Sequence, residues 1–133
     1  MKNVYVIATI TVLVVLATSQ ALLATPAEAR LIEWSEYDSL AAAPNTVVID
    51  VFKPGQEALP HTNHQIPYDD QEALQAAIPT KNTAVLLYCK GGVGSAKASE
   101  QLIKAGYTNI YELTGGSNAY HEKAIAATSC QAS

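Results

Sequence analysis

Apolar positions fall into two regimes along the chain. After Met1-Lys2-Asn3, residues 4–24 form one long run without a single charge; Thr25-Pro26 breaks it, and Ala27-Glu28-Ala29 leads into Arg30. A basic start, an apolar middle and a small-x-small end compose a secretory signal, with removal expected near Ala29. The run is also long enough to cross a bilayer, so a retained anchor is the competing reading. The helix-breaking proline just before the Ala-x-Ala site favours cleavage. The expected organisation is a signal over residues 1–29 and one domain over 30–133, periplasmic or secreted.

Beyond Arg30 the apolar runs shorten and alternate with amphipathic stretches. Leu31-Ile32-Glu33 reads as a short edge strand, and Ser35 with Asp38 three residues on predicts a capped helix carrying Tyr37, Leu40 and Ala41, ended by Pro44-Asn45. Val47-Val48-Ile49-Asp50-Val51 is a nearly continuous β-branched run, the pattern of a strand covered on both faces. An irregular stretch over residues 52–67 holds Pro54, Gly55, Pro60 and Pro67. Asp69 and Glu72 then form a cap pair ahead of Ala73, Leu74, Ala77 and Ile78, and Pro79 closes that helix. Ala84-Val85-Leu86-Leu87-Tyr88 is a second buried strand. Good helix formers fill residues 95–105 before Gly106, residues 109–113 make a third strand, and Gly115-Gly116 turns the chain into a last helix over 118–127. Strands separated by helices imply an α/β sandwich of three layers, a mostly parallel central sheet with helices on both faces.

Charge and cysteine usage narrow the function classes. Past Ala29 there are seven basic and eleven acidic side chains, a net charge of −4. That balance gives no support to nucleic-acid binding, which uses a basic face, and it fits poorly with docking on an anionic membrane surface. With 133 residues and two cysteines, Cys89 and Cys130, the chain lacks the dense disulfide framework of small secreted scaffolds. One bridge or two free thiols both remain open on the count.

The candidate chemistry sits in Cys89-Lys90-Gly91-Gly92-Val93-Gly94-Ser95, between a buried-strand pattern and a helix start. Ligands of open α/β sheets bind just past the carboxyl ends of strands. A tight glycine loop turns several backbone N–H groups inward as an anion nest, the following helix presents its positive end, and Lys90 adds a cation if its side chain turns that way. All three stabilise negative charge on the sulfur, and the thiolate is the nucleophile. The competing reading is a cysteine acting as a small buried apolar residue.

The pattern strand, Cys, basic, x, Gly, x, x, Ser, Ala, helix resembles the active-site loop of the rhodanese family. Residues 47–51 resemble that family's first core strand with its terminal Asp, and residues 79–88 the approach to its cysteine. Ala105-Gly106-Tyr107-Thr108-Asn109-Ile110-Tyr111-Glu112-Leu113 with Gly115-Gly116 and Asn118-Ala119-Tyr120 resembles its C-terminal signature. The resemblance implies a rhodanese-like sandwich, and a reaction in which Cys89 takes the outer sulfur of a donor such as thiosulfate. Cys89 then holds it as a persulfide until a thiophilic acceptor, cyanide or a thiol, removes it. That is covalent catalysis in two steps.

The chain departs from the family in two places. The sixth loop position, commonly Arg, is Gly94, so bidentate recognition of an oxyanion is missing, and Lys90 and Ser95 do not replicate it. Phe52 stands where an Arg commonly follows the strand Asp, and Leu59-Pro60-His61 precedes a shortened path to Ile66-Pro67, which reshapes the pocket wall. Weak thiosulfate turnover is therefore expected.

Other candidates have simpler accounts. His61 and His64 lack a third ligand, so no metal site is expected. Asp69-Asp70 is explained by a helix cap, and Asp50 by a structural acceptor role near the loop. Cys130 sits in a tail, either a bystander or a resolving thiol for Cys89.

A sulfurtransferase, a persulfide or thiol carrier for another protein, and a non-catalytic binding module are the competing functions. The phosphatases of this fold need a longer loop ending in Arg. Expected partners are a small sulfur donor, a thiophilic acceptor and at most a thiol protein, with no nucleic acid, no membrane beyond the first segment, no cofactor and a monomeric state.

Overall fold

The computed structural model describes residues 26–131. The signal and anchor readings concern residues 1–25 above all and lie outside the described residues. Among the described residues no helix is long and apolar enough to cross a membrane. In chain order the elements are β1 (Arg30–Ile32), α1 (Trp34–Ala41), β2 (Thr46–Asp50), β3 (His64–Gln65), α2 (Gln71–Ala77), β4 (Ala84–Tyr88), α3 (Val93–Lys104), β5 (Ile110–Leu113) and α4 (Gly116–Gln131).

The strands form one five-stranded sheet of order β1-β5-β4-β2-β3. Every pairing is parallel, with Asp50 of β2 opposite Tyr88 of β4 and Leu87 of β4 opposite Glu112 of β5. The two β-branched or aliphatic runs, β2 and β4, lie side by side with sheet on both edges, which is why their sequences are apolar throughout.

Alternation along the strands sorts side chains between two cores. Val85, Leu87 and Cys89 join Ile49, Val51 and Ile110 against Leu74 of α2 and Ala98 and Leu102 of α3. Leu86 and Tyr88 join Val48 and Leu113 against Tyr37 and Ala41 of α1, with Tyr120 of α4 packed alongside. Each fully buried large side chain contributes about 1.5–3 kcal/mol. Cys89 therefore faces the α2/α3 layer because it is two residues beyond Leu87.

Several expected boundaries shift. Helix α1 is capped by Glu33 rather than Ser35, and the Glu36 carboxylate accepts the Glu33 N–H at 2.9 Å, so the capping logic applies two residues earlier. Asp70, not Asp69, caps α2, its carboxylate accepting the Ala73 N–H at 3.1 Å. The stretch expected to be irregular contains the two-residue β3, whose His-Gln sequence carries no strand pattern. Asn63 prepares that pairing: its Oδ1 accepts the Val48 N–H at 2.7 Å and its own N–H donates to Val48 O at 2.9 Å. Helix α3 begins at Val93, two residues before the expected start.

A tyrosine network holds the long β2–β3 connection to the sheet. The buried Leu59 N–H donates to Tyr88 Oη at 2.9 Å, Thr62 Oγ1 lies 2.8 Å from the same oxygen, and Tyr37 Oη donates to Pro60 O at 2.8 Å. Tyr37 meets Tyr88 and Tyr120 edge-on, with centroids 6.1 and 5.2 Å apart, and Tyr120 Oη donates to Asp38 Oδ1 at 2.9 Å.

Loss of water around these phenols pushes the pKa values of Tyr37, Tyr88 and Tyr120 above 10.0 in the folded chain. Unfolded tyrosines lose their protons first as pH rises, so this stability is complete below the ordinary phenol pKa and falls above it. The urea midpoint is expected to hold up to about pH 9 and to drop beyond about pH 10, with Tyr37→Phe flattening the drop. An identical alkaline slope in the variant would refute the assignment.

Candidate functional site

The site is built where β4 ends. Tyr88 closes the strand, Cys89 follows on the α2/α3 face, residues 90–92 turn, and α3 starts at Val93. Cys89 is only 4% exposed. Its Sγ accepts the Gly92 N–H at 3.0 Å and lies 3.9 Å from Ser95 Oγ. The turn closes that short path because Gly92 takes φ 101°, a left-handed conformation that glycine adopts without steric cost. Ser95, itself buried, donates to Gly92 O at 2.9 Å and ties the turn to the first turn of the helix.

The seven loop residues expected to act together divide into separate tasks. Cys89, Gly92 and Ser95 form one hydrogen-bonded unit. Gly94 packs directly against the thiol: a Cβ built on it would lie 3.5 Å from Cys89 Sγ. Gly91 is exposed with open space where a Cβ would stand, and Val93 is 70% exposed at the helix start. Lys90 is exposed and borders a cleft shared with Asp50, Phe52, Glu57 and His121. Among the described residues, the Sγ hydrogen-bond partners are the Gly92 N–H and the Ser95 hydroxyl, and Lys90 is not one of them.

The start of α4 holds the loop from the other side, a role the sequence reading gave only to a turn. Ser117 N–H donates to Cys89 O at 2.9 Å and Asn118 N–H to Lys90 O at 3.1 Å. Gly116, at φ 63°, makes this approach possible, because a Cβ there would sit 2.2 Å from Cys89 O. Consecutive glycines before a helix were the visible signal, and their close backbone contact was not.

Asp50 is 4% exposed and acts as an acceptor, its Oδ1 taking the Phe52 N–H at 3.0 Å. His61 lies in a turn with φ 66°, and among the described residues no cluster of three or more His, Cys, Asp or Glu side chains could hold a metal ion. Cys130 stands in the last turns of α4 rather than in an irregular tail; it is exposed, and both cysteines are free thiols. At 1.5 Å per residue it lies about 21 Å along the helix from Gly116, the residue touching Cys89, and a disulfide needs Cα atoms within about 7 Å.

A family profile described as Rhodanese-like domain matches residues 27–123. The tRNA uridine(34) hydroxylase of Prochlorococcus marinus (strain MIT 9303) is 29% identical over 99 residues, covering 66% of this chain and 32% of that protein. The chain thus spans about a third of that relative's length. Among solved structures, a rhodanese-like domain protein from Staphylococcus aureus is similar at TM-score 0.57 and 25% identity, covering 68% of this chain and 90% of that one. A human single-domain sulfurtransferase is similar at TM-score 0.61 and 21% identity, covering 72% and 98%.

Substituting Gly116→Ala is expected to destabilise the protein by about 3 kcal/mol, from left-handed strain plus the backbone clash. Gly55→Ala, also at positive φ but with open space around it, should cost only about 1 kcal/mol. Urea unfolding of both variants reads the difference, and equal losses would argue against a clamp at Gly116. Peptide mapping of air-oxidised protein under non-reducing conditions should yield no Cys89–Cys130 pair; finding that pair would mean α4 opens far more readily than its geometry implies.

Proposed function

The chain belongs to the rhodanese-like domain family, and on that footing we propose that it is a sulfurtransferase carrying sulfur as a Cys89 persulfide. The observation that carries the reading is the Gly92 N–H donating to Cys89 Sγ at 3.0 Å at the end of a buried strand. A hydrogen bond to a charged partner is worth about 1.5–3 kcal/mol, and this one favours negative charge on the cysteine sulfur before attack.

The Cys89 thiolate attacks the outer sulfur of thiosulfate. A sulfur–sulfur bond forms at Cys89, the donor's own sulfur–sulfur bond breaks, and sulfite leaves with that electron pair. The outer sulfur, now anionic, then passes to a nucleophilic acceptor. Cyanide leaves as thiocyanate, and the Cys89 thiolate is restored.

Gly94 favours one variation on this reading. A site without a guanidinium at that position binds a dianionic oxyanion poorly, which suits a carrier that receives sulfur from the persulfide of another thiol, the donor leaving as its thiolate, better than a fast thiosulfate enzyme. A location outside the cytoplasm belongs to the same proposal and rests on the signal-like first 29 residues. The relatives named for tRNA uridine(34) hydroxylation are about three times longer than the matched segment, and the net charge of −4 gives no support to an RNA partner here.

Intact mass of reduced residues 30–133, after thiosulfate exposure and desalting, should show a gain of one sulfur atom that Cys89→Ser abolishes. Cyanide-dependent thiocyanate release should then be slow. No mass gain with thiosulfate or with an organic persulfide would sink the sulfur-carrying role of Cys89.

A further inference from the structure

What stands beside the thiol in place of a side chain at position 94 is the ring of Tyr68. A Cβ built on Gly94 would lie 3.4 Å from Cys89 Cβ and 3.1 Å from Tyr68 Cδ1. Carbon atoms pack at about 3.5–4.0 Å, so a Cβ at 94 requires the ring to give by a few tenths of an ångström, and a longer side chain has the ring in its path. The backbone that carries the ring is held in place. The Tyr68 N–H donates to Val51 O at 2.9 Å, its carbonyl accepts Gln71 Nε2 at 2.9 Å, and it packs against the core cluster containing Cys89. The Lys97 ammonium sits over the ring, 5.3 Å from its centroid.

We propose that Tyr68 is the specificity-determining residue of the Cys89 site: its ring fills the space a side chain at 94 would take and makes that wall aromatic, so the site prefers neutral organic sulfur donors, of the thiosulfonate class, over anionic ones. The inference deepens the sulfur-transfer reading and rests on it for the nature of the donor. The ring atom turned to position 94 is the carbon Cδ1, which offers an oxyanion neither charge nor a hydrogen-bond donor. Divalent sulfur, polarisable and weakly hydrated, packs well against a ring. Gly94 and Tyr68 therefore act as a pair. A cation at 94 becomes useful only once the ring has gone.

The test uses a Cys130→Ser background, so that Cys89 is the single thiol, and two thiosulfonates that differ in charge. Methyl methanethiosulfonate is neutral, and its 2-sulfonatoethyl analogue is anionic. In both, the thiolate attacks the sulfenyl sulfur, a mixed disulfide forms, and methanesulfinate leaves with the bond's electron pair. The readout is the ratio of the neutral to the anionic rate constant. The Tyr68→Phe variant should keep the parent ratio. The Tyr68→Ala/Gly94→Arg double variant should lower it on the order of tenfold, the factor that about 1.4 kcal/mol gives. Gly94→Arg alone should lower it much less, because the ring still blocks the position.

Equal ratios in the Gly94→Arg single and the double variant would overturn the proposal, as would a Tyr68→Ala change that scales both rates alike. If Tyr68→Ala does not fold, Tyr68→Leu replaces it in the same comparison. These rates require only a reactive Cys89. A ratio that responds to Tyr68 in protein that never takes up sulfur would therefore remove the sulfur-transfer reading alone. Persulfide formation with an unresponsive ratio would remove this inference alone.

Discussion

The site depends on one backbone contact, the approach of Gly116 to the carbonyl of Cys89. Two hydrogen bonds follow from it, Ser117 N–H to Cys89 O and Asn118 N–H to Lys90 O, and they join the end of β4 to the start of α4. With both carbonyls engaged there, the turn that follows is free to fold back so that the Gly92 N–H meets the sulfur. A Cβ at 116 would fall far inside van der Waals contact with the carbonyl oxygen, so relief has to come from moving the loop or the helix. Either movement displaces the sulfur's hydrogen-bond donor.

The opposite face of the sheet shows the same economy. Tyr88 and Cys89 are neighbours in sequence and point to opposite layers by the pleat of the strand. Cys89 enters the layer of α2 and α3, while Tyr88 enters the layer of α1 and supports the β2–β3 connection through Leu59 and Thr62. That connection returns as Ile66, Pro67 and Tyr68 on the thiol side, where Ile66 and Tyr68 pack against the Cys89 cluster. The wall of the site is therefore anchored partly from the far side of the sheet.

This division explains what the sequence made legible. The apolar runs of β2 and β4 located the sheet centre, because a strand covered on both faces needs side chains of one kind, and β4 matched the expected residues 84–88 without a shift. Helix starts were off by one or two residues, since Glu33 and Asp70 took caps that Ser35 and Asp69 could equally have taken. The strand β3 was not legible, because it is held by Asn63 and by two residues without strand character. Cys89 was visible in its glycine loop. The contacts with Gly116 and Tyr68 come from residues 27 and 21 positions away, and no local pattern carries such a pairing.

The electrostatic character of the site follows from the same distant contacts. Among the described residues the sulfur's hydrogen-bond partners are neutral, a peptide N–H and a hydroxyl. Lys90 borders the cleft with Asp50 and Glu57, and Lys97 lies over Tyr68. A peptide dipole can hold one negative charge on sulfur, but it cannot also compensate a dianionic donor entering a site that is 4% exposed. A donor that brings little charge avoids that desolvation cost, and the charge on sulfur then passes from the attacking atom to the transferred one within reach of the same N–H. A glycine at 94 is thus coherent with the rest of the site, whose walls are arranged around a sulfur atom rather than around the oxygens attached to it.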